Sequence, residues 1–365
     1  MPPLLRHYGW ECSPYSNKTR AYLRYKQIPH EDISPSVLTI RRVMQPKVGF
    51  VVMPVVVLPD GTPLQDTSAI IDHLEDAFPQ PSIIPSSPKQ ALVALLLELF
   101  ADEWMPIITM HTRWNLPLNR AFASEEFGRC AFPWLPLFVS RRLTQKTANR
   151  MASFRSVFGI TEETAPAIDA WATELLQGLD AHFAQHPYLL GGRPSIADFA
   201  FYGPLYAHVW RDPASRELVE SRGHLLGWIQ RMRNPSGTPA DFVANDTIPE
   251  HLLPILTRQF KEQFPILEHT VASLAQWAED HPNTKKLPRG LDSVDVHIGD
   301  RSAQRRVLTF QQWMLQRPLD FYHGLDPSQK TGVDDLLRSV GGLEAMQRQL
   351  KCRLTRENFR VVVER

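Results

Sequence analysis

Only three cysteines occur in 365 residues, Cys12, Cys130 and Cys352. They stand far apart in the sequence and make no metal-ligand spacing, and an odd count is a poor disulfide framework. No metal site is expected, and a reducing compartment, the cytoplasm, fits best. Net charge is nearly absent as well: 40 Lys and Arg against 39 Asp and Glu leave +1. That removes the general electrostatic case for nucleic acid or an anionic membrane surface as partner. Long hydrophobic runs are missing. "MPPLLRHYGW" has no apolar core of signal-peptide length, and the longest apolar stretches are broken by Pro54 in "FVVMPVVVL" and by Glu98 in "ALVALLLELFA", so a soluble chain is expected. There is no phosphate loop, no Ser-His-Asp nucleophile elbow, no internal repeat and no low-complexity tract.

What is present is a change of pattern along the chain. The first 80 residues alternate period-two and helical signals, the mark of a small α/β unit. A strand at Leu4 to Trp10 is followed by a helix from Pro14, a short strand in "HEDIS" and a weak helix from Pro35. Then come the β-branched strand "MPVVVL", a "PDG" turn, a partner strand "TPLQD" and a helix near Thr67 with Ile70, Ile71, Leu74 and Phe78 on one face. "FPQPSIIPSSP" reads as a linker. Beyond it the pattern is helical to about Met232, and after "RNPSGTPADF" the last 130 or so residues are again mostly helical. The division expected is 1–80 (α/β), 88–235 (all-α) and 236–365 (a helical extension packed on the all-α part).

The stretch "ECSPYSNKTR" raises the question of which of Cys12 and Ser13, if either, does chemistry. Pro14 suits the first helical position, where its missing N–H costs nothing, which makes Ser13 the N-cap. A hydroxyl there stands at the positive end of a helix dipole and could stabilise a thiolate. Lowering a thiol by two units from about 8.5 needs roughly 2.7 kcal/mol. A hydrogen bond to a charged group supplies about 1.5–3 kcal/mol, and the helix terminus adds about 0.3–1, so no histidine base is required. From the local sequence alone, capping is the commoner reading of Ser13 and of "DTSAI", and an edge-strand proline would explain Pro54.

Taken in order, "SPYS", "MPVVVLPDG", "LQDTSAIIDHLE" and "GGRPSIADF" resemble the glutathione transferase superfamily over about residues 4 to 232. "ADEWMPIITMHTRWN" and "RRVLTFQQWMLQR" are similar to segments of long bacterial members. The resemblance implies a thioredoxin-like α/β domain followed by an all-α domain with additional C-terminal helices, and glutathione as co-substrate. It implies a cis Met53-Pro54 bond, with the Met53 main chain pairing with the cysteinyl part of glutathione. Asp66 and Thr67 would receive the γ-glutamyl end, although the family usually has the longer Glu where Asp66 stands. Ser13 would meet the sulfur. Trp104, His111, Arg113 and Trp114 would border the pocket for an electrophile, although residues spaced this way more often serve domain-interface packing. A homodimer is also implied. Two alternatives stay open: a thiol transferase that uses Cys12 as nucleophile, and a non-catalytic binding or scaffold protein. "SIAD" is given a structural role.

Overall fold

The computed structural model describes residues 4–235 and 240–364. In chain order it begins β1 (Leu5–Tyr8), α1 (Pro14–Tyr25), β2 (His30–Ile33), α2 (Val37–Thr39), α3 (Gln45–Val48), β3 (Val55–Val57), β4 (Pro63–Gln65), α4 (Thr67–Ala77). It continues with α5 (Pro88–Glu103), α6 (Pro106–Asn115), α7 (Pro117–Ala131), α8 (Leu137–Val157), α9 (Ala165–Phe183), α10 (Ile196–Pro204), α11 (Glu217–Glu220) and α12 (Gly223–Arg233). The final part holds α13 (Leu253–Arg258), α14 (Phe264–Asp280), β5 (Gly290–Ile298), β6 (Arg301–Leu308), α15 (Phe310–Gly324), α16 (Pro327–Ser339), α17 (Leu343–Gln347), β7 (Leu354–Glu357) and β8 (Arg360–Val363). The prolines are put to use as helix openers: Pro14, Pro88, Pro106, Pro117 and Pro327 each begin a helix, where a fixed φ helps and no N–H is needed. No helix among the described residues is long and apolar enough to cross a membrane.

The chain separates into two compact units. The first comprises Met1–Ile83, Ile108–Phe154 and Asp198–Pro239. Its sheet has the order β2-β1-β3-β4, with β1 parallel to β2 and the other pairs antiparallel. The three valines of β3 are buried, as a central strand covered on both faces requires. Tyr22 on α1 meets Phe199 edge-on at 5.8 Å and donates to Glu75 on α4 at 2.8 Å. The structural role expected for "SIAD" takes a definite form in this unit, where Asp198 accepts the Trp228 indole N–H at 3.0 Å.

The second unit comprises Ile84–Ile107, Arg155–Ala197 and Ala240–Arg365. The expected boundaries at 80, 88 and 235 do not coincide with this division, which splits the all-α part. Within this unit the contacts of the C-terminal helices with α5 include buried polar side chains. Gln259 and Gln263 donate to the carbonyls of Leu96 and Leu99 at 2.8 and 3.2 Å. Glu98, which interrupts an apolar run in the sequence, is buried against Arg317 at 3.2 Å. The extension also contains two antiparallel hairpins, β5–β6 and β7–β8, which the helical expectation left out. The first turns at Gly299, φ +61°, and its inward Val294, Val296 and Ile298 alternate with Asp295 and His297. A Gly-Asp turn flanked by alternation is a hairpin signal.

His182 in this unit is fully buried and meets the Tyr188 carbonyl at 3.1 Å. Burial, only partly opposed by that carbonyl and reinforced by His186 and His251, lowers its pKa to about 4. The unfolded chain, with a histidine near 6.5, therefore takes up a proton that the folded chain refuses. Stability from this group is full above about pH 6.5 and is lost as pH falls toward 4, amounting to about 2 kcal/mol between pH 7 and 5. Denaturant titrations at both pH values should show a shallower loss for His182→Gln than for the parent protein; identical slopes would remove His182 as the cause.

Candidate functional site

Ser13 caps α1, accepting the Ser16 N–H at 3.2 Å, and Pro14 follows in the first turn. Two close approaches hold this helix start. A Cβ on Gly9 would stand 2.6 Å from Ser16 Cβ, and one on Gly203 would stand 2.4 Å from the Pro14 carbonyl oxygen. Glycine at 9 lets the end of β1 pass beneath α1, and glycine at 203 lets α10 lie directly against its N-terminus.

Charge fixes the segment just before the cap. Arg113, 2% exposed, donates from Nη1 to the Cys12 carbonyl at 2.7 Å and from Nη2 to the Ala207 carbonyl at 2.6 Å. It also binds Asp212 through Nε and Nη2 at 2.7 and 2.6 Å. Arg20 donates to Asp32, Asn17 and the Gly9 carbonyl at 2.6, 2.6 and 3.1 Å and lies 3.3 Å from Glu11. Burial would raise the Asp32 pKa, but hydrogen bonds from His7 and Arg20 outweigh it and hold the carboxyl well below its usual range. The Tyr206 hydroxyl donates to the Glu11 carboxylate; burial first, then Glu11, pushes that phenol up to about 12.

The second helix start is at Asp66, which caps α4 by accepting the Ser68 and Ala69 N–H groups on Oδ1 at 3.0 and 3.1 Å. Its φ of +74° is a left-handed value uncommon for a non-glycine residue. Its Oδ2 takes part in no hydrogen bond or ion pair among the described residues. Thr67 is buried beside it. A buried Lys18 on α1 donates to Ser68 at 3.3 Å and so ties the two helix starts together. The Met53-Pro54 bond is cis, and β3 begins directly after it.

The four candidates for an electrophile pocket fare differently. Trp104, His111, Arg113 and Trp114 are all buried. Arg113 has its donors committed as above, so it positions the 10–13 segment rather than offering itself to a substrate. His111 pairs with Asn115 at 2.8 Å, Trp114 packs against Phe127 with ring centroids 6.0 Å apart, and Trp104 belongs to the second unit. A cleft of about 400 Å³ in the second unit, lined by Phe264, Leu267, Leu315 and Leu319, includes none of the expected site residues.

Cys12 is buried, and its thiol is pushed well up by a hydrogen bond to Cys130 and by burial. The same hydrogen bond draws the Cys130 thiol down against its own burial. The two cysteines, 118 positions apart in sequence, are thus neighbours in the fold, which their spacing could not reveal. Among the described residues no group of three or more His, Cys, Asp or Glu could hold a metal.

Two family models match: the glutathione S-transferase N-terminal domain over residues 8–82 and its C-terminal domain over residues 162–231. The chain belongs to the glutathione transferase superfamily. The thioredoxin-like domain, the helical domain and the added C-terminal helices of this superfamily member follow the expected class. Solved structures similar to it include beta-etherase LigF from Sphingobium sp. strain SYK-6, at 17% identity over 64% of this chain and 95% of that one, TM-score 0.46. Another is a glutathione S-transferase from Methylobacterium radiotolerans in complex with glutathione sulfonate, at 17% identity over 66% and 99%, TM-score 0.40. A third, from Pseudomonas fluorescens, has 22% identity over 65% and 98%, TM-score 0.37. No curated protein matches the chain.

Two outcomes test this geometry. Gly203→Ala forces a methyl against the Pro14 carbonyl and should cost about 1–3 kcal/mol of stability, read by urea denaturation; an unchanged midpoint would mean the contact is soft. In native protein near pH 8, iodoacetamide should label Cys130 at least about tenfold faster than Cys12, as followed by peptide mass spectrometry. Preferential labelling of Cys12 would reverse the assignment of the two thiols.

Proposed function

We propose that the protein is a glutathione-dependent transferase in which Ser13 activates the glutathione sulfur as thiolate for attack on an electrophile. The observation that carries this is the cap of α1. The Ser13 hydroxyl is only partly buried at the positive end of the helix, whereas Cys12, one residue earlier, is buried with a raised pKa. A hydroxyl in that place donates a hydrogen bond to a thiolate but forms no mixed disulfide, which favours addition or displacement over disulfide exchange. The conjugation step forms a carbon–sulfur bond while the leaving group, or the electrons of an activated double bond, departs from the attacked carbon.

Glutathione would lie along the first unit. Met53 would offer its main chain beside cis-Pro54 in the manner of a short strand. The start of α4 at Thr67 would take the γ-glutamyl carboxylate, and the open Oδ2 of Asp66 its ammonium group. The unusual φ of Asp66 supports this reading, because strained backbone is retained where it serves a site. The glutathione sulfonate bound to the Methylobacterium radiotolerans protein agrees with the ligand class. A homodimer in the cytoplasm, and the three-part division at 1–80, 88–235 and 236–365, belong to the same proposal.

Ser13→Ala should lower glutathione conjugation to an activated aryl halide by about ten- to a hundredfold, while Cys12→Ser leaves it nearly intact. Loss in Cys12→Ser with retention in Ser13→Ala, together with reduction of a small-molecule disulfide, would place the chain among the thiol transferases. Asp66→Asn keeps a capping oxygen but removes the charge; it should weaken glutathione binding by about 1–3 kcal/mol in calorimetry with little change in melting temperature. Unaltered affinity would move the ligand elsewhere, and no binding in the parent protein would leave the scaffold alternative.

A further inference from the structure

Strand β6 points Ala303, Arg305 and Val307 to its buried side, and Arg305 faces Val294 across the hairpin. On such a face an apolar residue is the rule, yet Arg305 is 1% exposed. Its guanidinium lies over the Trp104 ring at 5.0 Å from the centroid and near the Phe158 ring at 5.9 Å. All three guanidinium nitrogens are buried without a hydrogen-bond partner among the described residues, and the Trp104 indole Nε1 is equally without one. Burial lowers the Arg305 pKa to about 10, opposed by Glu103 as the one acidic influence, and the group remains charged at neutral pH. The enclosure is tight on the far side, since a Cβ on Gly159 would meet Val296 Cγ1 at 2.5 Å.

An isolated buried cation is costly, and such groups are normally paired. The aromatic faces offset part of that cost but accept none of the N–H donors in the ring plane or along the guanidinium fork. We propose that Arg305, with the Trp104 N–H beside it, forms a binding site for a small monovalent carboxylate. A carboxylate presents two coplanar oxygens that match the fork. One cation with a carboxylate side chain in its field suits a single negative charge better than a dianion. Trp104, Phe158 and Arg305 come from three separate stretches of the second unit, so the ligand also joins those stretches. The site is independent of the glutathione reading and lies outside both family-model matches.

The test is thermal unfolding of the full chain in acetate and in chloride at equal ionic strength. Parent protein should gain roughly 2–4 °C in acetate over chloride, saturably with concentration, and Arg305→Met should show no difference between the salts. Equal midpoints in both salts for the parent, or a variant more stable than the parent under every condition, would overturn the site and make Arg305 a buried charge solvated by water. Should Arg305→Met fail to fold, a crystal structure of the parent grown in formate decides: planar oxyanion density on the guanidinium supports the site, and water alone overturns it.

Discussion

One guanidinium, that of Arg113, holds the segment that leads into the first helix of this protein. It reaches from α6 to hold the Cys12 carbonyl, while the Asp212 carboxylate locks it from the opposite side. Both ionic groups are almost wholly buried, so each is tolerable only because the other is present. Removing one member of such a pair typically costs about 3–5 kcal/mol. With the Cys12 carbonyl anchored, the chain has little freedom in how Ser13 and Pro14 enter α1. The cap is therefore set by a residue about a hundred positions away as much as by its own local sequence.

That dependence explains what the sequence could and could not disclose. The β-α-β-α-β-β-α order was legible because each piece carries a local signal: Pro14 and Ser13 for one start, Asp66 for another, three consecutive valines for the central strand. The cap at Ser13 and the cis bond before Pro54 were also within reach, one from helix chemistry and the other only through resemblance. The roles of Arg113, His111 and Trp114 were not, since spacing on a helix shows which residues share a face but not what covers it. Lys18, Arg20, Asp32 and Tyr206 gave no signal because their partners lie 50, 12, 25 and 195 residues away. The β5–β6 hairpin did have a signal, Gly-Asp between alternating apolar residues, hidden by the charged residues that fill its outward positions.

Polar side chains are used differently in the two units. In the first they form connected sets: Arg20 with Asp32, Asn17 and Glu11, His7 joining through Asp32, and Arg113 with Asp212 and two carbonyls. Arg20 is balanced by Asp32 and Glu11, and Arg113 by Asp212, which favours a single arrangement of the segment around the cap. In the second, glutamines on the C-terminal helices satisfy carbonyls of α5, and Arg317 meets Glu98, so the extension is held by specific polar contacts as well as by apolar area. Arg305 breaks that pattern. Its aromatic neighbours accommodate the charge without pairing it, which sets it apart from the other buried arginines with ion pairs.

Electrostatics also connects the two helix starts of the first unit. Each N-terminus carries a partial positive charge, and the Lys18–Ser68 hydrogen bond ties the first turns of α1 and α4 together. The region therefore favours an anion before any side chain is counted. Asp66 accepts on Oδ1 at the α4 cap and has no partner on Oδ2 among the described residues, which under the proposed function would match a zwitterion better than a simple anion. A thiolate next to Ser13 would draw on the other helix start in the same way. Cys12, held by its carbonyl and turned to Cys130, stands outside that field's best position. Under the proposed function, the division of labour between Ser13 and Cys12 would follow from orientation: the backbone of Cys12 is held by Arg113, and the side chain of Ser13 faces the helix end.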